Sequence, residues 1–166
     1  GGSVPEDAPV TEVPEWVWDH TISLDLKGTV LCCRHAIPEL VRAGGGAIVN
    51  MSSVAALRGG PLQIYAAAKG GVISLTRALA AQYAKDRIRA NVICPGLVLT
   101  DRLKRRMSTL PQPGPGGSGG FLSVERYPFG TGEPREIANI ALFLASDESR
   151  MINGAVIPAD GGMSAY

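Results

Sequence analysis

Short apolar runs placed after long helical patterns constrain this chain more than any other feature. Ala47-Ile48-Val49-Asn50-Met51 follows a helix-like stretch opening at Pro14, and Arg89 to Cys94 follows a second one from about Leu62 to Asp86. A third run, Ala155-Val156-Ile157, comes after a helix opened by Pro134 and Glu136. Strands with so little polar alternation must be covered on both faces, which is the signature of parallel pairing. Helices alternating with them predict an α/β fold, a parallel sheet with right-handed crossovers.

The helical patterns carry their own punctuation. Trp18, Ile22, Leu26, Val30, Cys33, Ile37 and Val41 recur every three to four residues and predict one buried face, with Pro38 bending the helix near its end. Gly44-Gly45-Gly46 stops it. In the second helix the inner stripe reads Ile64, Ala68, Val72, Leu75, Leu79 and Gln82 or Tyr83. Its start is rich in small residues, Ala66, Ala67, Ala68, Gly70 and Gly71, so a neighbouring backbone or a ligand can come close. Leu97 to Met107 begins as a loop and turns into a short helix; the last helix points Ile137, Ile140, Ala141 and Leu144 inward.

Residues 111–120 are Gly- and Pro-rich, and Gly114 to Gly120 is low in complexity and should be mobile. They read either as a linker between domains or as part of a lid over a site. Too few residues follow Gly120 for a second core, so one domain over 1–166 with a lid is the expectation.

Charge excludes several functions. A formal net charge of +1 with interspersed signs steers the chain toward neither nucleic acid nor an anionic membrane, and Lys104-Arg105-Arg106 reads as a solvated helix face. No apolar run approaches the ~18 residues of a membrane span, and no charged-then-apolar leader opens the sequence, which gives the expectation of a cytoplasmic protein. Cys32, Cys33 and Cys94 have no metal-binding spacing and are expected to be reduced, buried thiols. His20 and His35 read as ordinary helix residues, so no metal site is expected.

The chemistry concentrates at three positions. Tyr65 and Lys69 are four apart in a helix and project from one face, where the ammonium should favour the phenolate and pull the tyrosine pKa down. Tyr65 could then exchange a proton with a substrate oxygen near neutrality. Ser53, delivered by the end of a buried strand, could hydrogen-bond the same oxygen. Taken singly, a Tyr and Lys one turn apart make an ordinary surface contact and serines after a strand are common turn residues.

The ordered set is more specific. Asn50-Met51-Ser52-Ser53, Tyr65-Ala66-Ala67-Ala68-Lys69, Asn91-Val92-Ile93-Cys94-Pro95-Gly96 and Asp160-Gly161-Gly162 resemble the C-terminal two-thirds of a short-chain dehydrogenase/reductase. Leu26-Lys27-Gly28, the Glu133-to-Ala138 helix start and Phe143-Leu144-Ala145-Ser146-Asp147 are also similar to that family. The resemblance implies a Rossmann-like fold, incomplete, with about three C-terminal strands and flanking helices. It implies hydride transfer between NAD or NADP and a small-molecule carbonyl or secondary alcohol. On this likeness Tyr65 is the general acid/base, Lys69 tunes it and contacts the nicotinamide ribose, and Ser53 polarises the substrate oxygen, with Ser52 as a contender. Pro95, Gly96, Val98 and Thr100 match the segment lining the cofactor in similar proteins, and homo-oligomers, dimers or tetramers, are the family's expectation.

Two departures stand out. Asp25 replaces the asparagine usual before Leu26-Lys27-Gly28 and is expected to support an altered proton relay. No glycine-rich phosphate loop between a strand and a helix occurs in these residues, so most cofactor phosphate contacts are absent and the chain alone is expected to be inactive. The strand at Ala47 to Met51 should then present an exposed apolar edge. The competing readings are a catalytically incompetent half-domain acting as a binding or association module, and a dehydratase or epimerase. The short segment ending at Asp160-Gly161-Gly162 speaks against the last of these.

Overall fold

The computed structural model describes residues 2–109 and 129–165. Three parallel strands, β1 (Gly46–Met51), β2 (Ile88–Pro95) and β3 (Val156–Ala159), lie in the order β1-β2-β3. Val92 aligns with Asn50 on one side and with Val156 on the other. The expected α/β class and parallel pairing hold. Among the described residues β1 pairs only with β2, and its Ala47, Ile48 and Val49 are half-buried along an otherwise unpaired edge.

The central strand is buried almost throughout because both faces are used. On one face Val92 and Cys94 pack against Val72 and Ile73 of α3 (Gln63–Gln82), while Ile88 meets Cys33 and Ile37 of α2 (Gly28–Arg42). On the other, polar side chains act as fasteners. Buried Asn91 donates to the Ile152 carbonyl and accepts from Ala155 N, both at 2.9 Å. Arg89 donates to the carbonyls of Leu144 at 3.0 Å and Ser146 at 2.9 Å, fixing the end of α5 (Pro134–Ala145) to the sheet. A capping box joining Glu133 and Glu136 starts α5, whose inward face is the expected one, with Leu144 fully buried. The short helix after Leu97 is α4 (Asp101–Thr109).

The first helical stretch departs from its predicted face. Cys33 and Ile37 are buried as expected, but Trp18, Val30 and Val41 are 47%, 39% and 42% exposed, and the buried stripe reaches Cys33 and Ile37 through Val17, Thr21 and Asp25. That stripe advances in steps of four, and on a regular helix each such step drifts by roughly 40°. A π-helical segment at Ile22–Lys27, where Gly28 N bonds the Ser23 carbonyl, separates α1 (Glu15–Thr21) from α2 and absorbs the drift. In α3 the inner face likewise shifts, from Leu75 and Leu79 toward Ile73, Thr76 and Ala80, and Gln82 is exposed.

Two smaller expectations are corrected. Cys33 and Cys94 are buried thiols whose pKa values burial pushes up, but Cys32 is exposed. Of the two glycines opening α3, only Gly71 makes a close approach, since a Cβ there would lie 2.8 Å from Leu26 Cδ2; Gly70 faces open space. The Gly114-to-Gly120 segment lies outside the described residues, as does most of the expected lid.

The glycine run between α2 and β1 makes a sharp reversal. Gly45 sits at φ +136°, and a Cβ there would stand 2.8 Å from the Arg87 carbonyl oxygen, a backbone atom that cannot swing aside. Gly45→Ala is therefore expected to lose about 1–3 kcal/mol of stability. Equilibrium urea unfolding measures this, and a midpoint equal to that of the parent chain would contradict it.

Candidate active site

A cleft of about 1010 Å³ opens at the C-terminal ends of β1 and β2. The strand ends leave their last backbone groups pointing into it, and the chain turns there twice. After β1, Ser52 N still bonds the Ile93 carbonyl at 2.8 Å, extending the ladder by one residue. Its hydroxyl is committed to structure, donating to the Lys69 carbonyl at 2.8 Å. Ser53 is extended (φ −161°, ψ 153°) and accepts from Ala55 N at 3.2 Å, opening a single 3₁₀ turn at Val54–Ala56. Ser53, not Ser52, faces the tyrosine.

Helix α3 brings Tyr65 and Lys69 to the cleft from its first two turns. The ammonium lies 5.7 Å from the Tyr65 ring centroid, donates to the Met51 carbonyl at 3.2 Å and meets Asp25 Oδ1 at 3.1 Å. Asp25 is 3% and Lys69 8% exposed, so this is a buried ion pair. Asp25 Oδ1 has no well-aligned hydrogen bond, so its tie to Lys69 is Coulombic; Oδ2 accepts from Gly2 N at 3.3 Å. The π segment puts Asp25 there. Leu26, seated over Gly71, draws that segment onto α3, and the added residue in the turn rotates Asp25 inward.

The electrostatics at Tyr65 run against the expectation from sequence. Its pKa is raised, first by burial and further by the Asp25 carboxylate, while the Ser53 side chain and Arg102 work the other way. The Lys69 ammonium alone would pull the phenol down; Asp25, paired to it, offsets that charge at the tyrosine.

Pro95, Gly96, Val98 and Thr100 form the far wall, so every candidate position lines one cleft. Val98 bridges to Gly132, and Thr100 Oγ1 accepts from Leu103 N at 3.3 Å at the start of α4. Asp160, from the Asp-Gly-Gly run, closes its own turn by accepting from Gly162 N at 3.0 Å and Ser164 N at 2.9 Å. His20 and His35 are exposed, and no group of three potential metal ligands lies together among the described residues. Two further groups bear on the site. Arg102 lines the cleft from α4, and Asp7 reaches the start of α3 from a loop 57 and 58 residues earlier in the chain.

The profile of a family described as enoyl-(acyl carrier protein) reductase matches residues 1–164. The chain belongs to the short-chain dehydrogenase/reductase family. It is 36% identical over 162 residues to the 3-oxoacyl-(acyl-carrier-protein) reductase of Thermotoga maritima, covering 96% of this chain and 62% of that protein. An uncharacterized oxidoreductase of Bacillus subtilis is 40% identical over 97% of this chain and 59% of its own length. Among solved short-chain dehydrogenase/reductase folds, levodione reductase superposes with a TM-score of 0.86 at 34% identity, over 99% of this chain and 64% of that one. A structure of ElxO with NADP bound gives 0.88 at 27% identity, over 100% and 65%. The chain thus spans about 52% to 64% of the length of the curated relatives it matches. No helix among the described residues is long and apolar enough to cross a membrane.

Proposed function

We propose that this chain is the catalytic part of an NAD(P)(H)-dependent oxidoreductase acting on a carbonyl or secondary alcohol. One observation carries the reading: a phenol and an ammonium one turn apart on α3 and a hydroxyl from the end of β1 converge on one cleft at the strand ends. That position is where open α/β sheets place their ligands.

The donor set fits a nicotinamide riboside. Lys69 offers N–H donors to ribose hydroxyls, Thr100 and the Pro95-Gly96 backbone line the wall opposite, and the cleft has room for a small substrate beside them. When bound, the nicotinamide supplies or accepts the hydride. Tyr65 gives its proton to the carbonyl oxygen in reduction and takes it from the alcohol in oxidation. A raised phenol pKa suits the first role, because the proton is held through neutral pH. Ser53 fixes the oxygen for that transfer, and Lys69 carries the charge that steadies the phenolate once formed. Asp25 sets how much of that charge Tyr65 feels.

Family likeness adds a homo-oligomer built through the long helices and the terminal strand. The unpaired cysteines are compatible with a reducing, cytoplasmic setting.

The test is to titrate NADH and NADPH into the chain, and into a form lengthened at its N-terminus by a nucleotide-binding section, following cofactor fluorescence. The expected result is saturable binding by the longer form with carbonyl-dependent oxidation of the bound cofactor. Binding by neither form, with no turnover of any of a range of aldehydes and ketones, would refute the proposal.

A further inference from the structure

Helix α3 begins without a cap of its own. Leu62, at its N-cap, makes no side-chain hydrogen bond to the first turn, although the Ala66 N to Leu62 carbonyl bond at 2.9 Å starts the regular ladder. The amides of Ile64 and Tyr65 therefore need acceptors from elsewhere. Asp7 supplies both: Oδ1 accepts from Ile64 N at 3.1 Å and Oδ2 from Tyr65 N at 2.9 Å. The carboxylate is only 7% exposed. Its loop is tied to the same turn a second time, where Val10 N donates to Gln63 Oε1 at 2.8 Å, and Asp7 N bonds the Val4 carbonyl at 3.2 Å to shape the turn.

We propose that Asp7 is a positioning residue for Tyr65, a cap supplied from a distant loop that fixes the backbone of the acid/base residue through its own amide. The inference rests on the reading of Tyr65 given above. A buried carboxylate at a helix N-terminus is held by charge-assisted bonds and by the helix dipole. A local Ser or Asp at the N-cap would satisfy the same amides, but it would move with the helix. A cap rooted in the loop that begins beside Asp25 ties the first turn of α3 to the π-helical segment that carries Asp25, since Gly2 of that loop donates to Asp25. Small displacements matter there, because a misplacement of about 1 Å in a reacting group costs on the order of a hundredfold in rate.

The test uses the chain itself and two readouts that need no turnover. Amide hydrogen exchange is followed along α3, and the phenol of Tyr65 is titrated through its ring carbon resonance in tyrosine-labelled protein. In Asp7→Ala, exchange at Ile64 and Tyr65 is expected to speed by roughly tenfold or more, while Val72 to Ala80 keep their protection. The Tyr65 phenol is expected to titrate closer to an ordinary tyrosine as the ring leaves its buried place. Asp7→Asn, which keeps one acceptor oxygen, recovers part of both effects. Unchanged titration, or acceleration spread evenly along α3, would overturn the proposal. If Asp7→Ala does not fold, Asp7→Asn carries the test, and wild-type rates at both amides would then overturn it. If the titration moves as expected while Tyr65→Phe leaves turnover intact, the functional reading has failed and the positioning role stands.

Discussion

Tyr65→Phe is expected to lower the turnover of the cofactor-competent enzyme by roughly 10²–10⁴-fold, the range that a lost general acid/base commonly costs. The substitution removes one oxygen. The ring still sits beneath the Lys69 ammonium, that ammonium still meets Asp25 at 3.1 Å, and Ser53 still accepts from Ala55 N. Stability and cofactor affinity should therefore change little, and the loss should fall on kcat with KM nearly unmoved. Tyr83→Phe is the control, because that tyrosine closes the far end of α3 and packs against the Cys33, Ile37 and Ile88 cluster, away from the cleft. Steady-state kinetics of the two variants decide the matter. Equal, near-parental kcat values would remove Tyr65 from the chemistry.

The parts of this site legible in the sequence were those set by local spacing. A helix brings residues four apart to one face, so Tyr65 and Lys69 declare themselves, and an apolar run ending in two serines places Ser53 at a strand end. The buried face of the first helix was legible at Cys33 and Ile37 but not in its first half. Thr21 and Asp25 are polar, while Ile22 and Leu26 beside them are apolar, so counting hydrophobic residues selects the neighbouring stripe. What buries Asp25 is the ammonium of Lys69, a partner from another helix, and a π turn that no residue pattern announces. The direction of the Tyr65 pKa is hidden for the same reason: spacing reveals that a cation is near, but not that a carboxylate already holds it. Asp7 was hidden more completely, because its role exists only once two segments 57 and 58 residues apart have been folded together.

Asp25 separates stability from proton chemistry, and two substitutions make the separation measurable. Asp25→Ala leaves the Lys69 ammonium in a site where its side chain is 10% exposed, with the Met51 carbonyl as its remaining hydrogen-bond partner. Breaking a buried pair on one side is expected to cost about 3–5 kcal/mol, a large part of the stability of a domain this size. Asp25→Asn keeps an oxygen near the ammonium and removes only the charge, so its loss should be smaller. Its effect on Tyr65 is the more informative. The carboxylate raises the phenol pKa directly and also neutralises the cation that would lower it, so removing the charge lowers the pKa on both counts. On the proposed mechanism the base form of Tyr65 is the active one in alcohol oxidation, and it accumulates as pH rises through that pKa. The rising limb of the pH–rate profile should therefore move to lower pH in Asp25→Asn. The same mechanism needs the acid form in carbonyl reduction, so the falling limb should move the same way. A folded Asp25→Asn enzyme whose two limbs stay where the parent has them would show that this carboxylate serves the structure alone.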